Sequence, residues 1–350
     1  MIGGVVELSI KVEAITPLLK QYDLNLEYSE EISKRVVKVY TDNGSYALKK
    51  LSKNPNPYFI ESYSILDQTK YSKYVPLVRN RSNQTISQMN GEYYYLMPWL
   101  TNETEEERDA RHQYLFKEVA ELHSRTEKDV KLSSDAATHH FESFEKHLDE
   151  TKIYYESFVE ECEQKLYLSP FELQAVTYFI EVSRAIDFSK KKLVEWYEKM
   201  QEKESSRMVL THGKISARHF LYDGEGNGYL TNFEKSKYAA PIDDYLYFIN
   251  RTAKTYPIPS DDCVNWFYTY QKGYPYKEEE MLLFLSYLSY PERICRLIKS
   301  YSAKNNSTEL EKNRQLVKAY WQFKNIEYFV MKISEIEEKR KQEAQQAQEQ

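Results

Sequence analysis

A glycine-rich turn between two short apolar runs constrains the fold of this chain more than any other feature. Residues 220–222 read Phe-Leu-Tyr, residues 229–231 read Tyr-Leu-Thr, and residues 223–228 between them contain three glycines. Two such runs joined by Gly, Asp and Asn predict a β-hairpin. His212 precedes the first strand and Asn232 follows the second. Because a hairpin reverses the chain, we expect the two flanking loops to lie side by side.

Kinases use two adjacent loops of this kind, one for the acceptor hydroxyl and one for the metal. The order of residues here resembles the aminoglycoside phosphotransferase and choline kinase-like family. That family's pattern is His-Gly-Asp, then Asn five residues on, then Ile-Asp-Phe/Trp-Glu, then Pro and Asp-Leu. The positions that match it are His212, Gly213, Phe233, Glu234, Pro241 and Asp244. The resemblance implies an α+β, two-lobed, protein-kinase-like fold with a small, mostly β N-lobe and a large helical C-lobe.

Three positions that carry the chemistry of that family hold other residues here. Lys214 stands where the resemblance places the catalytic Asp, and an ammonium with a pKa of about 10.4 accepts no proton at neutral pH. His219 and Asn232 stand where the metal-binding Asn and Asp are expected. An imidazole and a neutral amide suit Mg²⁺ poorly, because this cation prefers carboxylate and phosphate oxygens. The sequence therefore favours a pseudokinase with no intact catalytic residue and no metal site.

The resemblance also divides the chain. Residues 1–98 correspond to the N-terminal lobe and residues 99–335 to the helical C-terminal lobe, which contains the degenerate catalytic loop 211–244. Residues 336–350 are charged and Gln-rich with almost no apolar side chains, so we expect a frayed helix or a disordered tail. His212 and Asp244 are assigned structural roles, the second as a cap of the following helix.

A second hairpin is predicted where residues 36–40 and 45–49 flank an Asp-Asn-Gly turn. By the resemblance its last residue, Lys49, faces the nucleotide phosphates, and Glu61 on the next helix pairs with it. A solvated strand-end lysine and an exposed helix glutamate are the plain alternatives. Met97 and Trp99 fall at the hinge where adenine would stack, and Lys214 and Glu234 complete the candidate nucleotide site.

Two helix starts carry capping signals. Residues 104–107 read Thr-Glu-Glu-Glu, a capping box ahead of an apolar helical stripe. Ser169, Pro170 and Glu172 supply an N-cap, a first-position proline and a reciprocal glutamate, so a helix is expected to begin there and run towards Lys203.

Composition excludes several classes of function. The formal net charge is −6, which gives no overall attraction to phosphate backbones, so nucleic acid is not an expected partner. The three cysteines, Cys162, Cys263 and Cys295, form no Cys-x-x-Cys pair, which indicates neither a zinc knuckle nor a disulfide framework. No apolar run reaches the roughly 20 residues of a membrane helix, and the first residues lack the features of a secretory signal.

Residues 266–301 resemble the C-terminal helices of the spore coat kinase-like proteins of the CotS/YsxE type. A Tyr-rich helix, a Glu-Glu helix start and a Tyr-Pro-Glu-Arg run carry this second resemblance, which covers about residues 20 to 330. It implies a role in sporulation as a structural or binding component of the endospore coat, with other coat proteins as partners. It also implies synthesis in the mother-cell cytoplasm followed by assembly into the coat.

Three alternatives remain open from the sequence. A working small-molecule phosphotransferase is possible if Glu234 holds a metal and Asp223 or Asp243 acts as base. A protein that binds ATP without transferring phosphate is possible if the Lys214 ammonium replaces the metal. A two-histidine metal site from His212 and His219 is the weakest alternative, because structural sites usually have four ligands.

Overall fold

The structure is a computed structural model of the 350-residue chain and describes residues 12–52, 56–101, 107–131, 135–301 and 308–348. The chain divides into two compact units. The first consists of Met1–Thr126 with His212–Lys237, and the second of Glu127–Thr211 with Tyr238–Gln350. The boundaries expected from the sequence at residues 98 and 335 stay a prediction.

The first unit is built on an antiparallel sheet. Its helices and strands are α1 (Val12–Lys20), β1 (Leu26–Ser33), β2 (Val36–Thr41), β3 (Gly44–Lys50), α2 (Phe59–Gln68), β4 (Ser87–Met89), β5 (Glu92–Pro98), α3 (Arg108–Thr126), β8 (Phe220–Tyr222) and β9 (Gly228–Leu230). Two 3₁₀ turns, Ala217–His219 and Phe233–Lys235, flank the last two strands. Five strands form one sheet in the order β1-β2-β3-β5-β4, and β8 pairs with β9 separately.

The predicted hairpin of β2 and β3 is confirmed. Inward and outward residues alternate along β2, so that Val37 and Val39 are buried on the face that packs against α1. The register pairs Val36 with Lys49, and β5 places Tyr95 on the other side of Lys49. A strand position in the middle of the sheet therefore fixes the backbone of Lys49.

The β8–β9 hairpin is also confirmed, with Phe220 opposite Leu230. It is held within the first unit by backbone hydrogen bonds to two other segments. The Val75 amide donates to the carbonyl of Leu230 at 2.9 Å, and Thr101 and Tyr222 exchange bonds of 3.2 and 2.8 Å. The hairpin thus has fixed ends on both strands, and the loops that leave it begin from fixed positions.

The second unit is mainly helical. Its elements are β6 (Lys128–Lys131), α4 (Ala136–Glu163), α5 (Pro170–Met200), β7 (Ser205–Thr211), β10 (Lys237–Ala239), α6 (Ile242–Thr252), α7 (Asp262–Gly273), α8 (Glu278–Ser289), α9 (Glu292–Tyr301) and α10 (Glu309–Gln348). The three strands form a small sheet in the order β10-β7-β6.

Helix α5 begins with the predicted capping box. The Ser169 hydroxyl accepts a hydrogen bond from the Glu172 amide at 3.2 Å, and the Glu172 carboxylate accepts one from the Ser169 amide at 2.9 Å. Pro170 occupies the first turn, where its missing N–H costs nothing. The helix ends at Met200, close to the expected Lys203.

Apolar side chains of the long helices form the main core of the second unit. Tyr155, Val182, Ile298 and Phe323 come from α4, α5, α9 and α10 and are all buried. Each fully buried side chain of this kind contributes roughly 1.5–3 kcal/mol to the folding free energy. The helical stripes in the sequence therefore converge on one cluster.

The charged C-terminal segment belongs to α10 as far as Gln348, and polar contacts hold its first part. The Tyr268 hydroxyl donates to Glu337 at 2.8 Å, and the Lys341 ammonium lies 3.0 Å from Glu278. The guanidinium of Arg340 also lies over the ring of Tyr268 at 4.5 Å. Polar contacts thus hold this stretch, which has few apolar side chains.

The predicted capping box at residues 104–107 lies mostly outside the described residues, and the helix that follows it, α3, begins at Arg108. Among the helices that the structure describes, none is both long enough and apolar enough to cross a bilayer.

Candidate functional site

A buried ion pair joins Lys49 of β3 to Glu234 of the second 3₁₀ turn. The ammonium lies 2.7 Å from Oε1 of Glu234, and both side chains are only 11% exposed. The Tyr95 hydroxyl donates to the same carboxylate oxygen at 3.0 Å, and Arg35 lies 3.4 Å from the other oxygen. Both oxygens of the Glu234 carboxylate therefore have partners within its own unit.

The side-chain amide of Asn232 continues this network. Its Oδ1 accepts a hydrogen bond from the Lys49 ammonium at 2.7 Å, and its Nδ2 donates to Nε2 of His219 at 2.8 Å. The other ring nitrogen of His219, Nδ1, donates to the carbonyl of Lys214 at 2.8 Å. Because an ammonium only donates and a carbonyl only accepts, the orientation of the amide and the neutral tautomer of His219 are both determined.

His212 connects the two loops through its ring. Its Nε2 donates to the carbonyl of Thr231 at 2.8 Å, and its Nδ1 accepts from the amide of Lys214 at 3.2 Å. The ring is fully buried and packs against Phe233, with 4.9 Å between ring centroids. The expectation that the hairpin brings its flanking loops together is confirmed, and the assigned structural role of His212 has these contacts as its basis.

The same bonds contradict the two-histidine metal site. The rings of His212 and His219 lie 5.9 Å apart in a stacked arrangement, and each ring nitrogen is engaged in a hydrogen bond. A ring nitrogen that already donates or accepts in this way has no lone pair left for a metal. Among the described residues no group of three or more His, Cys, Asp or Glu side chains is placed to hold a metal ion.

Gly213 allows the close approach of the two loops. Its φ is +72°, and a Cβ at this position would lie 2.2 Å from the carbonyl oxygen of Lys235. Backbone atoms cannot move aside as a flexible side chain can, so any larger residue would push the loops apart. Asn232 also has a left-handed backbone, with φ +70° and ψ +48°, which Asn tolerates better than most residues.

At the ion pair, burial and the partner's charge shift the pKa of each group in opposite directions. Burial alone would raise the pKa of Glu234, but the ammonium of Lys49 and then Arg35 and Tyr95 outweigh it and lower the pKa. Burial lowers the pKa of Lys49, the cations of Arg35 and Lys214 lower it further, and Glu234 opposes them. Lys49 and Arg35 thus both contact the Glu234 carboxylate, and Lys214 adds a third positive charge that acts on Lys49.

His219 is held neutral. Burial first, and then the neighbouring ring of His212, lower its pKa to about 3. The ammoniums of Lys49 and Lys214 act in the same direction. Protonation of Nε2 would also turn this nitrogen from an acceptor into a donor. It would then face the Nδ2 group of Asn232, which is itself a donor. His219 therefore stays uncharged at neutral pH.

The predicted partner of Lys49 is wrong. Glu61 lies in the first turn of α2 with its side chain exposed, and among the described residues Lys49 pairs with Glu234. A helix-surface position leaves the Glu61 carboxylate in water, where the plain alternative had placed it. Met97 is buried in β5 and accepts a weak bond from Thr231, and Trp99 stacks under the ammonium of Lys38 at 4.7 Å. Whether these residues hold a nucleotide stays a prediction.

The candidate bases of an active enzyme have other contacts. Asp223 accepts hydrogen bonds from the amides of Glu225 and Asn227 at 2.9 and 2.8 Å and from the Tyr229 hydroxyl at 3.0 Å. These bonds shape the hairpin turn. In the second unit, Asp243 and the buried Asp244 lie in the first turn of α6, where carboxylates interact favourably with the helix dipole. The N-cap of α6 is Pro241, so the prediction that Asp244 caps this helix is wrong.

Sequence reasoning missed Arg35 and Tyr95. Both contact Glu234, yet they are separated from it by 199 and 139 residues along the chain. Nothing in their local sequence marks them, since Arg35 follows a lysine in a turn and Tyr95 is one of several strand tyrosines.

No model of a known protein family matches the sequence, and no curated protein matches it. Several solved structures do match. An aminoglycoside phosphotransferase from Alicyclobacillus acidocaldarius subsp. acidocaldarius DSM 446 is 14% identical over 96% of this chain and 100% of its own, with a TM-score of 0.68. The AMP-bound complex of a spectinomycin phosphotransferase is 15% identical over 91% and 98%, with a TM-score of 0.57. A microcompartment-associated aminopropanol kinase is 12% identical over 92% and 98%, with a TM-score of 0.55.

Identity this low shows the fold and nothing finer. The α+β fold class predicted from the sequence is confirmed, and the chain has the kinase-like fold of the aminoglycoside phosphotransferases.

Proposed function

We propose that this protein is a pseudokinase that serves as a structural or binding component of the bacterial endospore coat. The observation that carries the first part is the internal pairing of Lys49. Its ammonium has Glu234 and Asn232 each at 2.7 Å, so two of its three donors are already used. The lysine that would face a nucleotide is instead part of the protein's own hydrogen-bond network.

A bound phosphate would have to compete with this network. A phosphate that displaced Glu234 from Lys49 would leave a buried carboxylate whose remaining partners, among the described residues, are Tyr95 and Arg35. Breaking a buried pair of this kind costs about 3–5 kcal/mol. Tight binding of ATP at Lys49 would have to supply at least that much free energy.

The three residues at the expected catalytic and metal-binding positions also give no support to phosphate transfer. Lys214 offers an ammonium where a proton acceptor is needed. His219 and Asn232 bond to each other, and neither presents an anionic oxygen to Mg²⁺. An active phosphotransferase would need a base and metal ligands from elsewhere, and Asp223 is committed to its turn.

The second part of the proposal rests on the resemblance of residues 266–301 to the spore coat kinase-like proteins. On this proposal the partners are other coat proteins, and the protein is made in the mother-cell cytoplasm and then assembled into the coat. A fluorescent fusion expressed in a sporulating host tests this directly. Recruitment to the forespore surface would support it, and fluorescence that stays diffuse throughout sporulation would refute it.

A calorimetric and thermal-shift titration with ATP, with and without Mg²⁺, tests the first part. Ligands that bind only the folded state raise the melting temperature by mass action. We expect no Mg²⁺-dependent shift and no phosphate transfer to aminoglycoside or amino-alcohol acceptors. A Mg²⁺-dependent shift together with transfer that is lost in Lys49→Met would establish an enzyme instead.

Binding of a nucleotide without metal and without transfer is the second candidate. The observation that favours it is the excess of cations, because Arg35, Lys49 and Lys214 act on the site against the single carboxylate of Glu234. An ammonium can neutralise phosphate charge where a metal is missing. ATP binding in EDTA that weakens in Lys214→Asp but not in Lys237→Asp would support this function. Equal affinity in both variants would reject it.

A further inference from the structure

The second unit carries a concave surface whose charge is opposite to that of the chain as a whole. A cavity of about 640 Å³ opens between α6, α9 and α10, and a neighbouring one of about 490 Å³ extends it towards α4. The residues common to both linings are Leu246, Asn250, Tyr287, Tyr290, Glu292 and Arg296. The two cavities therefore form one elongated depression, which we call the basic groove.

Five cations and one carboxylate line the basic groove. The cations are Arg251, Lys254, Arg293, Arg296 and Lys299, and the carboxylate is Glu292. The formal charge of the lining is thus 5 − 1 = +4, whereas the whole chain carries −6. Such a local reversal of sign attracts anionic partners even when the net charge repels them.

Among the described residues, four of these five cations have no carboxylate within ion-pair distance, in contrast to other cations of the same unit. Lys190 lies 2.7 Å from Asp149, and Lys324 lies 2.9 Å from Glu181. Within the part of the chain that the structure describes, Arg251 and Lys254 have no carboxylate within ion-pair distance. Arg296 reaches only Glu292, at 3.7 Å, with both side chains about two-thirds exposed.

The cations of the basic groove lie close enough in the sequence to repel one another. Arg293 and Arg296 are three residues apart on α9, which places them on the same face of the helix. Arg251 lies in the last turn of α6, and Lys254 follows two residues after the helix ends at Thr252. Like charges on one face of a helix destabilise it, so a partner that supplies negative charge would relieve the repulsion.

Neutral groups in the groove suit a polypeptide. Tyr287 and Tyr290 direct their hydroxyls to His140 and His147 of α4, at 2.7 and 2.9 Å, so their ring positions are fixed. Gln322 accepts from Arg293 at 3.0 Å and donates to a backbone carbonyl of α6 at 2.7 Å. Rigid tyrosine rings and side-chain amides are typical of surfaces that bind extended peptides.

We propose that the basic groove binds an acidic, aromatic-containing segment of a partner protein. Carboxylates of the segment pair with the arginines and lysines, and its aromatic rings pack on Tyr247 and Tyr290. The elongated shape favours a peptide over a compact small molecule. The groove lies wholly within the second unit, so the proposal stands whether or not the Lys49 site binds a nucleotide.

Fluorescence anisotropy with a labelled peptide of alternating Glu and Tyr tests the proposal. We expect saturable binding to the full chain that weakens as salt is raised, because exposed charge pairs are screened. The double variant R251E/R296E should weaken binding at least about tenfold through lost attraction and added repulsion. The milder double variant R251Q/R296Q should also weaken binding. An unchanged melting temperature of this variant shows that the loss does not come from a folding defect.

A matched double variant separates the groove from general electrostatics. K146E/R184E changes the net charge by the same amount at two exposed positions on α4 and α5, outside the groove lining. Binding that survives in this control and is lost in R251E/R296E supports the proposal. Equal loss in both, no binding by the wild type at low salt, or equal binding of tripolyphosphate would overturn it. Self-association that R251E/R296E abolishes would also overturn it, because the occupant would then be a second copy.

Discussion

Lys49 and Glu234 form an ion pair across 185 positions of the sequence, with 2.7 Å between the ammonium and the carboxylate. One residue lies in the central sheet of the first unit, and the other lies in the turn that follows the β8–β9 hairpin. The pair thus fastens the turn Phe233–Lys235 to the sheet by electrostatics. In doing so it engages one of the three donors of the Lys49 ammonium.

Removing one member of this pair should destabilise the first unit. We expect Lys49→Met to lower the free energy of unfolding by about 3 kcal/mol, because it leaves Glu234 buried with weaker partners. The double variant K49M/E234Q should recover a large part of this loss. Denaturant unfolding of both single variants and the double variant measures the coupling. Arg81→Met, at the exposed pair with Asp23, is the control and should lower the free energy of unfolding far less, because water screens this pair. Losses that simply add in the double variant would show that the pair contributes no coupling.

The buried neutral His219 should make stability depend on pH. Its folded pKa is about 3, whereas an unperturbed histidine titrates near 6.5. Between these two pKa values the unfolded chain binds a proton at this residue and the folded chain does not. The free energy of unfolding is therefore unaffected by His219 above pH 6.5 and falls as the pH drops towards 3. The slope from this group is about 1.4 kcal/mol per pH unit. His219→Gln should remove that share of the slope. Parallel pH profiles for the variant and wild type would contradict the assignment.

Asn232→Asp should reverse the protonation of His219. The carboxylate would keep the bond from Lys49 through one oxygen and turn its second oxygen towards Nε2 of His219, where the amide now donates. An N–H on Nε2 would then gain an acceptor, so we expect the pKa of His219 to rise from about 3 to above the ordinary value of 6.5. An NMR titration of the histidine ring protons reports this change. His147, in the second unit, serves as the internal reference, and a His219 resonance that does not titrate above pH 5 would refute the prediction.

Gly213→Ala should destabilise the loop pair by about 2 kcal/mol or more. The added Cβ meets a backbone carbonyl oxygen, and the left-handed φ is itself costly for alanine. Gly224→Ala in the hairpin turn is the matched control, since its Cβ would enter open space at an ordinary φ. Thermal unfolding of the two variants should differ clearly. An equal melting temperature would mean that the loops separate without cost.

Local signals predicted much of the fold. The hairpin of β2 and β3 is encoded by alternation and an Asp-Asn-Gly turn, and the start of α5 by Ser169 and Glu172 within one turn of helix. The side-by-side placement of the loops containing His212 and Asn232 follows from the hairpin alone. These features depend on residues that are neighbours in the sequence.

Partners that are distant in sequence were beyond such reasoning. Glu61 matched the expected position on a helix, but side-chain direction and burial decided for Glu234. The C-terminal helix shows the same limit, because its contacts also come from residues that are distant in the sequence. The composition of its end predicts a frayed helix or a disordered tail, and the contact of Tyr268 with Glu337 cannot be read from the local sequence.

The left-handed backbone of Asn232 also restricts which residues this position can accept. Gly, Asn and Asp are the residues that adopt such a conformation most readily, and of these only Asn and Asp reach Lys49. An aspartate and an asparagine differ by the exchange of an oxygen for an NH₂ group. A chain with this backbone can therefore exchange a neutral amide for an anionic carboxylate by a single substitution, with the main chain unchanged. The charge of this site and the shape of its backbone are, at this position, separable properties.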